Sequence, residues 1–110
     1  MTVLEELEEF LRSGRRYERR WIGQGTRAIY VRIEADRLTI AAAEYDSFSK
    51  PSVRRFVDMC EAAHQINPFP TTFVETAEHQ VAQLLWERDW QKADQPGCLQ
   101  KHRNHGEVPW

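Results

Sequence analysis

No glycine occurs between Gly25 and Gly97 in this chain. Over that stretch no turn has the residue that best tolerates positive φ, and no segment offers the closest backbone approach to a ligand. Cysteine is scarce as well. Cys60 and Cys98 alone do not make a disulfide framework, which points to a reducing, cytoplasmic setting. No apolar run is long enough to span a bilayer, so no membrane partner is expected. The opening Met1-Thr2-Val3-Leu4-Glu5-Glu6 lacks the basic-then-apolar form of a secretory signal. A net charge of −2 gives no overall pull toward nucleic acid.

What is present suits one modest globular domain: 110 residues of ordinary composition, without repeats or low-complexity segments. Charge is uneven along it. Arg12 to Arg37 holds eight arginines against Glu18, Glu34 and Asp36. Thr2 and Glu5 form a capping-box pattern, Val3, Leu4, Leu7, Phe10 and Leu11 recur at helical spacing, and Gly14 is a natural stop. Three strand-like runs follow: Tyr17 to Ile22, Arg27 to Glu34 and Leu38 to Tyr45. The second alternates with period 2, and the third is more continuously apolar.

The period then changes. Val53, Phe56, Val57, Cys60 and Ala63 fall on one helical face, with Pro51 in the first turn and Asn67-Pro68-Phe69-Pro70 closing the helix. Thr71 to Glu75 reads as a short strand. Thr76 can cap a last helix that buries Val81, Leu84 and Leu85. Residues 91–110 read as an irregular or edge-strand tail. The order α-β-β-β-α-β-α predicts an α/β domain, a mixed sheet with helices on its faces.

Ile29-Tyr30-Val31-Arg32, Leu38 to Tyr45 (LTIAAAEY), Phe73-Val74-Glu75-Thr76 and Leu84 to Trp90 (LLWERDW) stand in a familiar order. In that order and spacing, over roughly Leu4 to Trp90, the chain resembles the GNAT superfamily of N-acetyltransferases. The short phage and prophage forms are most alike. The resemblance implies an acetyl-CoA pyrophosphate held at the turn before the long helix, at Ser49, Lys50, Pro51, Ser52 and Val53. It implies a general base on the third strand, Glu44, with Glu75 as a second candidate.

The chain departs from the family at that turn. Ser49 and Pro51 stand where the phosphate motif has its two glycines, and proline removes a backbone N–H donor outright. Lys50, Arg54 and Arg55 offset this by side-chain charge only. Thr76 replaces the motif's asparagine and Asp89 its glycine, and Trp86 and Trp90 stand where a tyrosine acid would be sought.

Two further clusters stand out. Cys60 with His64, and Cys98 with His102 and His105, are a conceivable zinc set, but Cys60 lies on the apolar helix face and the spacings fit no common zinc module. Arg15, Arg16, Arg19 and Arg20 flank Tyr17 and Trp21, a pattern suited to an acidic protein surface or to nucleic acid. Three readings result. The first is a GNAT-like fold without its acetyl-CoA cradle, binding a protein partner with an acidic surface, such as a mobile-element inhibitor of a host or defence protein. The second is an acetyl-CoA-dependent N-acetyltransferase with an atypical turn. The third is a nucleic-acid-associated protein with a basic surface.

Overall fold

The computed structural model describes residues 2–14, 18–23, 29–34, 37–43 and 50–102. Helix α1 spans Val3–Arg12, and Thr2 caps it by accepting a 3.1 Å hydrogen bond from the Glu5 N–H. Strands β1 (Glu18–Ile22), β2 (Ile29–Glu34) and β3 (Arg37–Ala43) form an antiparallel meander. Helix α2 (Lys50–Ile66) then crosses to β4 (Thr71–Glu75), which runs parallel to β3. Helix α3 (His79–Glu87), β5 (Gln91–Lys92) and β6 (Cys98–His102) complete the chain. The six strands make one mixed sheet in the order β1-β2-β3-β4-β6-β5.

The residues expected to form an irregular or edge-strand tail contribute two strands, and β5 is an edge strand of the sheet. β6 is not at the edge: it lies between β4 and β5, antiparallel to both. Gly97 makes this possible, since its φ of +73° permits the turn into β6 and its carbonyl accepts a 2.9 Å bond from the Thr76 N–H.

The helices do not lie on both faces. Every strand residue in the core (Ile22, Ile29, Val31, Ile33, Leu38, Ile40, Val74 and Leu99) points to one side, where it meets Leu7, Phe10 and Leu11 of α1, the predicted face of α2, and Val81 and Leu85 of α3. The strict burial alternation of β2 is the signature of a sheet covered on one side only. Among the described residues no helix covers the other face.

Helix ends follow their local chemistry. Asn67 stops α2: its amide nitrogen donates to the Thr71 carbonyl (3.1 Å) and the Thr72 hydroxyl (2.8 Å), while its Oδ1 accepts from the Phe69 N–H (2.9 Å). Thr76 does not cap α3. Glu78 holds that position without a side-chain cap, and the Thr76 hydroxyl instead accepts from the Glu78 N–H (3.0 Å), turning the chain two residues ahead. At the other end of α3, Asp89 has a φ of +70°, and the N–H groups of Asp89 and Trp90 donate to the carbonyls of Trp86 (3.1 Å) and Leu85 (3.0 Å). That is a Schellman ending with aspartate in glycine's usual place. Trp90 is fully buried, whereas Trp86 is 56 % exposed.

Candidate functional site

The parallel strands separate at their carboxyl ends. Pairing of β3 with β4 ends at Ile40 and Val74, yet β3 continues to Ala43 and β4 to Glu75. Beyond Ile40, β3 keeps only β2 as partner among the described residues, after a bulge that leaves Ala41 unmatched between Ile40 opposite Val31 and Ala42 opposite Tyr30. Sheets of this kind place ligands in a crevice outside such strand ends.

The residues expected there are unevenly placed. Glu44 and Ser49 lie outside the described residues. Lys50, Pro51 and Ser52 form the first turn of α2, with Pro51 exposed and carrying no N–H. Val53 is buried in the core, so its side chain is structural. It also floors a groove of about 490 Å³ between α2 and α3, with Arg54 on one wall and His79, Gln80, Gln83, Leu84 and Glu87 on the other.

Glu75 ends β4 on the helix-free face and is held by Arg32, whose guanidinium ion-pairs with it at one nitrogen and sits 3.5 Å from its second oxygen at another. The Arg32 Nε donates to Glu34 at 2.6 Å. Burial works against the guanidinium's charge, but the hydrogen bonds to Glu75 and Glu34 outweigh it and raise its pKa. One arginine therefore ties β2 to β4 across β3, where the buried Thr39 separates them. On the same face the Arg37 guanidinium lies 4.8 Å from the Phe73 ring centroid, and the Trp21 and Tyr30 rings lie 5.2 Å apart.

The arginine cluster divides. Arg15 and Arg16 lie outside the described residues, and Arg19 belongs to β1 by its backbone. Arg20 points to the helix side, its guanidinium 5.0 Å from the Phe10 ring centroid. Trp21 points the other way and is 46 % exposed.

Cys60 is fully buried on α2, and burial together with the nearby Glu61 charge pushes its thiol well above the ordinary range. Cys98 is raised as well, by burial first and by Glu75, with Arg32 and Arg37 opposing. Both are poor thiolate donors. His64 bonds the Thr72 hydroxyl (2.7 Å) and packs edge-on against Trp90, while His102 bonds Thr71 (2.6 Å) on the opposite face. His105 lies outside the described residues. Among the described residues no three His, Cys, Asp or Glu side chains converge on a metal position, and no helix is long and apolar enough to cross a membrane.

The Arg32, Glu34 and Glu75 ladder was not legible as a unit in the sequence. Period 2 puts Tyr30, Arg32 and Glu34 on one face, but Glu75 joins them only through pairing across β3. No family model, curated protein or solved structure matches this chain.

Proposed function

We propose that this chain is a GNAT-like domain that binds a protein partner rather than acetyl-CoA. The strand order, with one parallel step through α2 and a bulge just before the strands part, supports the GNAT-like reading of the fold. The observation that carries the functional reading is Pro51 in the first turn of α2. A pyrophosphate at a helix N-terminus is held by free N–H groups and close backbone approach, and this turn has a proline and no glycine. Glu75 adds to it. Both oxygens of that candidate base are engaged by Arg32, so neither is turned toward an incoming amine. The helix-free face, with Trp21 exposed beside Tyr30, offers the surface for a partner.

Two observations favour the second reading, an acetyl-CoA-dependent N-acetyltransferase: the parting of β3 from β4 and the Arg54-walled groove near the α2 N-terminus. Thermal unfolding with acetyl-CoA separates the two. A ligand at 100 times its Kd adds about 2.7 kcal/mol. The proposal expects no shift at millimolar acetyl-CoA, and a saturable upward shift would overturn it.

A further inference from the structure

The sheet ends in two unlike edges. β5 is two residues long, too short to template another strand. β1 is five residues long and contains neither proline nor glycine. Its inner side pairs with β2 from Glu18 opposite Ile33 to Ile22 opposite Ile29, and among the described residues no strand occupies its outer side. Its carboxyl end is anchored, because the Gly23 N–H donates to the Glu6 carboxylate of α1 at 3.2 Å.

Alternate residues of such an edge turn their N–H and C=O groups outward, ready for pairing. The side chains on its two faces differ in kind. Arg20 is exposed on the helix side and makes no ion pair among the described residues, its one contact of note being the Phe10 ring. Trp21, next along, is half-exposed on the helix-free side and rests on Tyr30. An incoming strand would set one side chain beside Arg20 and its neighbour beside Trp21, at cross-strand distances of about 5 Å.

We infer that the outer edge of β1 takes up an extended segment of a protein partner as a seventh strand, with an acidic side chain beside Arg20 and an apolar one beside Trp21. This rests on the protein-binding reading above and names its surface and partner chemistry. A second copy is disfavoured in the two registers that overlap the whole of β1. Antiparallel pairing of β1 on itself about Arg20 sets the two Arg20 side chains opposite each other, and in-register parallel pairing aligns Arg19 and Arg20 with their copies. Like charges directly opposed are destabilising. Arginine on this edge thus disfavours full-overlap self-pairing and selects the opposite charge in a partner strand.

The test uses the full chain, ¹⁵N-labelled, titrated with short peptides that alternate glutamate with valine, lysine with valine, or carry the glutamate–valine composition scrambled. The alternating glutamate peptide should bind at low salt, with shifts centred on β1 and slowed exchange at alternate β1 amides. Arg20→Glu should weaken it about tenfold and transfer preference to the lysine peptide. No β1 response to any peptide, equal binding of the scrambled peptide, preference unchanged by Arg20→Glu, or a concentration-dependent dimer through β1 would each overturn the inference. An acetyl-CoA arm on the same sample keeps the two proposals apart. Peptide failure with no acetyl-CoA response removes only the edge assignment, whereas acetyl-CoA shifts at the α2 N-terminus remove the reading beneath it.

Discussion

The two faces of the sheet are built on different terms. On the helix side, every buried strand residue in the core is apolar or belongs to a closed polar unit. His64 and Asn67 share the Thr72 hydroxyl, and Glu61 accepts from both Trp90 (2.7 Å) and Lys101 (3.0 Å). No buried side-chain nitrogen or oxygen lacks a partner among the described residues. On the helix-free side the same strands carry an ion-pair ladder, a cation over a ring and an aromatic pair, all partly in water. Burial, and with it most of the stability, is concentrated on the first face, and the second is the one we propose for recognition. Exposed ion pairs contribute little to folding, whereas a packed core contributes most of it.

The largest effect should come at Trp90, with Trp86 as its exposed counterpart. Trp90→Ala removes a fully buried ring together with its bond to Glu61 and should cost about 3–5 kcal/mol in urea unfolding. Trp86→Ala, on the outer side of α3, should stay within about 0.5 kcal/mol. Equal losses would erase the distinction between the buried and exposed sides of α3.

Next in size is Thr72→Val. It leaves His64 and Asn67 without their shared hydroxyl in a buried site and should cost about 1–3 kcal/mol. Thr71→Val, one residue along and on the other face, loses only a bond to the exposed His102 and should cost less than half as much. A reversal of that order would place the polar anchor on the wrong side of the sheet.

Alkaline titration sharpens the same point. The Cys60 thiol has a raised pKa in the folded chain and an ordinary one when unfolded. Its contribution is therefore intact below the unfolded value near 9 and is lost above it, as only the unfolded state ionises, by up to ~1.4 kcal/mol per pH unit. Unfolding free energies measured across that range should show the slope, and Cys60→Ala should flatten it.

The smallest effect is a gain. Asp89 holds a left-handed conformation that glycine adopts without strain, so Asp89→Gly should raise stability by about 0.5–1 kcal/mol in a thermal melt. A loss would mean that the aspartate side chain supports the turn.

Much of this was legible along the chain, because helical and strand periodicities are local. The Val53, Phe56, Val57, Cys60 and Ala63 stripe is the buried side of α2, and Thr2 caps α1 as its pattern predicts. The single covered face was harder to read. Leu38 to Ala43 is apolar or small at all but one position, so its alternation is blurred, and the bulge at Ala41 interrupts it further. The place of β6 was hidden for a different reason: Cys98–His102 mixes two buried residues with three polar ones, and only pairing with β4 makes it interior. Of the candidate site, Pro51 and the missing glycines were visible at once. The engagement of Glu75 by Arg32, 43 positions away, depends on strand order alone.

Trp21→Ala tests the division between the faces most directly, because it deletes the same side chain as Trp90→Ala from the helix-free side of the same sheet. Urea unfolding should show a loss of about 1 kcal/mol or less, with the cooperativity of the transition unchanged. A loss as large as that of Trp90→Ala would mean that the helix-free face holds the fold together, and would contradict its assignment to a partner.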